Sequence, residues 1–324
     1  MIQVEQKGNL YMNTMIRILF TEGHDLRILK TVEMLQKHSF IQPIVYGNRT
    51  RIESLISKHH LSCTRMTILD PIEFNEKEKM VNKLVELRHG KTNEQTAREW
   101  IEKDTYFCTL YTLLGYADCL IGGSINSTAD TLRPILQLVK PKSGYQFMSS
   151  CFIMRKQEKL LYFADCSMNR EPNVDQIVEI TKQTVETAKR FHSTPTVALL
   201  SYSTKGSGRG ESIDKMRKAT EILQDMDIDY IVDGEMQVDC ALNPTVAKLK
   251  APNSPIQGTA NVLIFPDLNA ANIGYKLVAN LAGYQAIGPI LQGLSIPMND
   301  LSRSATVEEI YIMSMITVLS VTKE

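Results

Sequence analysis

The sequence predicts an α/β protein built as two domains, and three features carry that reading. Strand-like and helix-like segments alternate along the whole chain, the rhythm of helix-covered parallel sheets, with no low-complexity linker or repeat between them. The texture changes near PKSGYQF, after which two neighbouring strand-like runs read as an antiparallel pair. At 324 residues the chain exceeds one small core and suits two domains of ordinary size. The expected division is 1–143 with 295–324 as one α/β domain and 144–294 as the other.

Each element follows from local pattern. MIRILF (15–20) reads as a buried strand, followed by the turn TEGHD and a helix in which Leu26, Leu29, Val32 and Leu35 recur at helical spacing. IQPIVYG (41–47) is a strand ended by its glycine, and IESLISKHH is helical, with His59 and His60 on its surface. IEKDTYFCTLYTLLGYAD reads as helix, CLIGGS (119–124) as a short strand, and STADTLRPILQLVK (127–140) as helix. Trp100, the only tryptophan, reads as a packing anchor. Beyond the texture change, CFIMRK and LYFADC (161–166) are neighbouring strands. They are followed by a long amphipathic helix VDQIVEITKQTVETAKRF and the buried strand TVALLSYS (196–203). ESIDKMRKATEILQDM is a helix and DYIVDG a strand; NVLIFPD (261–267) is a strand feeding the helix NAANIGYKLVANLAG. Ligand sites in such folds lie at the C-terminal ends of strands or between domains.

Composition excludes several classes of function. Lys+Arg and Asp+Glu are both 36, so the formal net charge is zero, which argues against a nucleic-acid surface as the main purpose. A local basic pocket for a phosphorylated small molecule is compatible with that balance. The 43% hydrophobic and 22% charged residues are ordinary for a soluble globular protein. The six cysteines, at 63, 108, 119, 151, 166 and 240, form no CxxC pair and no metal-ligand spacing, and read as reduced. MIQVEQKGNLYMNTM has no apolar core of signal-peptide length, and no run reaches a membrane span. The expectation is a cytoplasmic protein without membrane or nucleic-acid partners.

Three polar turns carry candidate chemistry. GGSINSTADTLR (122–133) runs from strand to helix, where Ser127 or Thr128 can cap the helix, free N–H groups favour an anion, and Arg133 adds a full positive charge. The same residues also read as an ordinary capped helix with Ser127 and Asp130 as the capping pair. STKGSGRG (203–210) lacks both the Walker spacing and GxGxxG, and reads as a flexible connection into the next helix. In NDLSRSATVEEI (299–310), Arg303 offers a planar fork for two phosphate oxygens, with Ser302 beside it able to donate or accept. Thr306 and Glu309 form T-x-x-E, so Glu309 is either a reciprocal helix cap or a general base at the edge of a cleft.

The segment NVLIFPDLNAANIGYKLVANLAGYQAIGPILQGLSIPMNDLSRSATVEEIYIMSMIT resembles the C-terminal region of the phosphate acetyltransferases (phosphotransacetylases). The likeness extends to YADCLIGGSINSTADTLRPILQLVK and ALLSYSTKGSG, and runs from the FTEGHDLR turn to the last helix. It implies a two-domain fold like the isocitrate and isopropylmalate dehydrogenases, with the active site in the interdomain cleft of a homodimer. It implies reversible exchange, acetyl-CoA plus phosphate giving CoA plus acetyl phosphate, with coenzyme A as substrate, no cofactor, no metal and no covalent acetyl-enzyme. By resemblance, Arg303 matches the arginine holding the phosphoryl group, Ser302 the serine assisting at the carbonyl, and Glu309 the position of an aspartate base. Arg133 and Arg88 match arginines linked to CoA or phosphate; Ser127, Thr128, Lys276, Asn299 and Asp300 complete the expected substrate-binding set.

The chain departs from the family pattern at several points. Glu309 replaces the usual Asp, Ser304 and Ala305 stand for Gly and Cys, Ala271 for a Gly, and Asn280 for a frequent Arg. The alternatives these leave are a longer acyl group such as butyryl, or a CoA-binding homologue weakened in catalysis. A nicotinamide-dependent dehydrogenase on a related fold lacks its dinucleotide fingerprint here.

Overall fold

The computed structural model describes residues 15–321. The N-terminal stretch read above as lacking a signal sequence lies outside them, Met15 apart. Elements in chain order are β1 (Ile16–Phe20), α1 (Leu26–Leu35), β2 (Ile41–Tyr46), α2 (Arg49–Lys58), β3 (Thr67–Leu69), α3 (Lys77–Arg88), α4 (Glu94–Ile101) and α5 (Asp104–Leu113). Next come β4 (Cys119–Gly122), α6 (Thr128–Leu138), β5 (Ser149–Lys156), β6 (Lys159–Ala164), α7 (Val174–Arg190), β7 (Thr196–Leu200) and α8 (Glu211–Gln224). The rest are β8 (Ile231–Met236), α9 (Val238–Leu242), α10 (Pro244–Lys250), β9 (Val262–Ile264), α11 (Leu268–Ala282), β10 (Gln285–Gln292), β11 (Met298–Asp300) and α12 (Val307–Leu319). The chain forms two compact units, one reaching Gly144 and resuming at Leu294, the other Tyr145–Gly293.

The first unit holds a five-stranded sheet of order β11-β4-β1-β2-β3, every pair parallel. Ile16, Ile18, Leu19 and Phe20 of β1 are all fully buried. Ile16, Ile18 and Phe20 point to one face and Leu19 to the other, so both faces are covered, the parallel, helix-flanked arrangement; Arg17 alone is half-buried, paired with Asp118 at 2.9 Å. The order reverses at β1, since β2 lies on one side and β4 returns on the other. In such sheets ligands settle beyond the carboxyl ends of strands at this reversal. α12 packs against α1 and β4, with Ile310, Met313, Met315, Ile316, Val318 and Leu319 buried, so the C-terminal helix closes this unit.

The second unit holds a six-stranded sheet, β10-β5-β6-β9-β7-β8. β5 pairs antiparallel with both β6 and β10, whereas β6, β9, β7 and β8 run parallel. The apolar alternation over 151–166 therefore marks a hairpin. The helix expected over 101–118 breaks at Lys103, whose extended backbone caps α5. Among the described residues the six cysteines form no disulfide, and five of them are buried. No described helix is long and apolar enough to cross a membrane.

The loop expected to be a flexible connection is instead stitched to β8. Glu235, 1% exposed, accepts from Gly206 N (2.7 Å) and Ser203 Oγ (3.0 Å), and Ser203 Oγ in turn accepts from Gly208 N (2.9 Å). The Lys205 ammonium pairs with the buried Asp233 carboxylate and donates to Gly234 O at 2.8 Å. Glycine-rich composition hides this, because the anchors lie about thirty residues downstream.

Candidate active site

Parallel pairing places the ends of β1, β4 and β11 side by side, so the turns that leave them, 21–25, 123–127 and 301–305, are neighbours. Backbone bonds tie them at once: Thr21 N donates to Ile121 O (3.1 Å) and Leu301 N to Gly122 O (2.8 Å). Gly123 sits at φ +91°, where a Cβ would fall 2.1 Å from Asp300 Oδ1 and 2.9 Å from Leu301 O. Only glycine permits that approach.

Two acidic residues of the first turn, absent from the sequence expectation, organise the others. Glu22 is 1% exposed and accepts from Gly123 N (2.9 Å), from Asn126 Nδ2 (3.1 Å) and from Thr21 Oγ1 (2.5 Å). Burying a carboxylate is costly unless its oxygens accept hydrogen bonds in this way. Asp25 caps α1 through Arg27 N (2.9 Å) and takes the Arg27 guanidinium. Burial would raise its carboxyl, yet the Arg27 hydrogen bonds outweigh it and hold Asp25 below the usual carboxylate range. The signal available in sequence is FTEGHDLR, two acids and an arginine just past a buried strand.

The third turn presents Ser302, Arg303 and Ser304 as exposed residues. Its backbone closes with Ala305 N donating to Ser302 O (2.9 Å), and the two serine hydroxyls lie 2.8 Å apart. Among the described residues nothing pairs with the Arg303 guanidinium, so its donors are open to an anion. Glu309 does form the capping box: Thr306 N donates to its Oε2 at 2.8 Å, and Glu309 N to Thr306 Oγ1 at 3.3 Å.

Asn299 and Asp300, expected in the substrate-binding set, lie beneath the turn rather than on its surface. They are 2% and 1% exposed, on β11 beneath the turn, and Asn299 Nδ2 donates to Thr317 Oγ1 (2.8 Å). Burial pushes the Asp300 carboxyl up to about 6. Both shape the turn from below because β11 is a buried strand rather than a loop. Ser127 also has its hydroxyl engaged, accepting from Asp130 N (3.2 Å) and donating to Asp130 Oδ2 (2.7 Å), while Thr128 is in the first turn of α6.

Arg133 lies half-exposed in a loose pair with Asp130 (3.5 Å). It lines a cavity of about 430 Å³ together with Tyr46, Asp104, Tyr106 and Asn126. Arg88, at the end of α3, stacks over Trp100 with Cζ 5.9 Å from the ring, and Trp100 meets Tyr106 at 4.9 Å. Burial raises the Tyr106 hydroxyl, and Arg133 and Arg88 both pull it back, so the two arginines flank one phenol. Trp100 is thus more than an anchor: it carries a guanidinium on its face. Lys276 belongs to the second unit, on α11, with its ammonium over the Tyr275 ring (5.9 Å).

The fold and turns so arranged match one family. A family model for phosphate acetyl/butaryl transferase matches residues 4–318, and the chain belongs to that family. It is 42% identical over 307 residues to the phosphate acetyltransferase of Staphylococcus epidermidis, covering 93% of each chain. A phosphotransacetylase structure from Streptococcus pyogenes superposes with TM-score 0.92 at 39% identity, covering 98% of both chains. The EutD phosphotransacetylase of Staphylococcus aureus gives TM-score 0.90 at 38% identity, covering 99% of this chain and 98% of that one.

Proposed function

We propose that this protein is a phosphate acetyltransferase, exchanging an acetyl group between coenzyme A and inorganic phosphate by direct attack. The carrying observation is Arg303: an open guanidinium next to a serine hydroxyl, on a turn fixed where three parallel strands end. Its planar fork suits two oxygens of a phosphate, and on the acetyl phosphate side it would stabilise phosphate as leaving group. Ser302 supplies a hydroxyl for the oxyanion that develops at the carbonyl, an interaction typically worth ~3–4 kcal/mol per donor. A thiol of pKa ~8.5 is mostly protonated at neutral pH and gains from a base, the role assigned to Glu309. Holding both substrates in place supplies the larger share, up to ~7–11 kcal/mol. Arg133 and Arg88, gathered around Tyr106, are assigned to the phosphates of CoA. The likeness to a phosphate acetyltransferase at 42% identity supports this reading.

Phosphate-dependent CoA release from acetyl-CoA and butyryl-CoA tests it. Acetyl-CoA is expected to be preferred at least tenfold in kcat/KM, the scale of methylene discrimination by an apolar wall (~10–200-fold per group). A butyryl preference would move the assignment to the longer acyl group. CoA binding without turnover would make the chain a binding homologue.

The homodimer is assigned to α11. Ala271 alone of that helix is buried, and its apolar Ile273, Leu277 and Leu281, four residues apart, are 58%, 52% and 81% exposed in one stripe. β10 beside it is the open edge of its sheet. A second copy covers both features by the same symmetry operation. Light scattering is expected to give twice the chain mass, and Leu277→Asp with Leu281→Asp the single mass; a monomeric parent protein contradicts the assignment.

A further inference from the structure

We infer that Arg27 is a positioning residue for the reaction: it sets the backbone of turn 302–305 and so aims Ser302 and Arg303 at the phosphoryl group. This rests on the assignment of that turn to phosphate. All five N–H donors of the Arg27 guanidinium are used within the protein. Nη1 donates to Arg303 O and Ala305 O, both at 2.8 Å. Nη2 donates to Ser124 O (2.8 Å) and Asp25 Oδ2 (2.6 Å), and Nε to Asp25 Oδ1 (3.1 Å). One planar group therefore spans the ends of β1, β4 and β11, the three turns that make the site.

Arg303 and Arg27 differ in what their donors are free to do. Arg303 has open donors and an exposed side chain, whereas Arg27 has none left for a ligand and cannot be a phosphate contact. Residues 302, 303 and 304 are exposed, and within the turn the closing bonds are the serine contact and Ala305 N to Ser302 O. The carbonyls of Arg303 and Ala305 both accept from Nη1 of Arg27. Asp25 holds that guanidinium in plane with paired oxygens, so its aim is set by the α1 cap. A lysine carries the charge but no fork, and cannot reproduce a bridge across two carbonyls, Ser124 O and both Asp25 oxygens.

A displacement of about 1 Å in a catalytic group can lower turnover about 10²-fold. Arg27→Gln and Arg27→Lys are accordingly expected to lose about 10²-fold in kcat and to raise KM for phosphate, with KM for CoA within about twofold of the parent. A purely structural arginine would lower Tm and the yield of folded protein, leaving kcat per folded enzyme and both KM values unchanged. Arg27→Lys keeps the charge opposite Asp25, so it decides between the two roles should Arg27→Gln fail to fold. Kinetic constants within about twofold of the parent in Arg27→Lys overturn the inference. Arg303→Ala measured alongside separates the two levels: an inactive Arg303→Ala with a normal Arg27→Lys sinks only the positioning role, while an active Arg303→Ala sinks the phosphate turn itself.

Discussion

Arg303→Ala is expected to lower kcat by roughly 10³-fold in both directions while the protein stays folded. The magnitude follows from removing a preorganised charged donor pair at the point where charge develops, a change of about 10²–10³ for a single neutral donor. The stability expectation follows from the position. Arg303 is exposed and its guanidinium holds nothing among the described residues, so truncation should cost no more than about 0.5 kcal/mol, or about 1–2 °C in Tm. The structural duty of that residue belongs to its carbonyl, which accepts from Arg27 at 2.8 Å and survives in alanine. Steady-state rates and a thermal melt on the same preparation check both halves. A rate within tenfold of the parent would remove Arg303 from the chemistry, and a large loss of Tm would recast it as structural.

Glu309→Gln is expected to slow attack by the CoA thiol about 10²-fold, at the lower end of what a positioned base contributes (~10²–10⁴-fold). Glutamine is the informative replacement because it retains the reciprocal capping bond to Thr306 N, so α12 should keep its stability. Glu309→Ala removes base and cap together, and adds a loss of about 1 kcal/mol in stability. If Glu309→Gln turns over at the parent rate, the carboxylate is a helix cap and nothing more. The cap uses one carboxylate oxygen, Oε2, which accepts from Thr306 N and Oγ1.

Much of the fold is legible in the sequence because its cause is local. β1, β2 and β4 are short apolar runs bounded by polar turns, and α1, α6, α7 and α8 carry helical spacing with side-chain caps or acidic first turns. β11 is illegible for a different reason. It is three residues with polar Asn299 and Asp300 inside it, and it exists because β4 pairs with it from almost two hundred residues away.

The candidate site divides along the same line. Ser302, Arg303 and Glu309 lie within one turn and one helix start, so sequence proximity already groups them. Glu22, Asp25 and Arg27 reach that group only through the order of the sheet, and no local pattern announces a carbonyl acceptor 276 residues away. The burial of Asn299 and Asp300 is hidden for the converse reason: polar residues next to a turn look like loop, whereas strand pairing buries them.

The most direct test of the phosphate assignment is a crystal structure of the protein with acetyl phosphate bound. Two phosphoryl oxygens are expected within ~2.7–2.9 Å of the Arg303 guanidinium nitrogens, with the acetyl carbonyl toward Ser302. A phosphoryl group bound elsewhere, with Arg303 left in solvent, would contradict it.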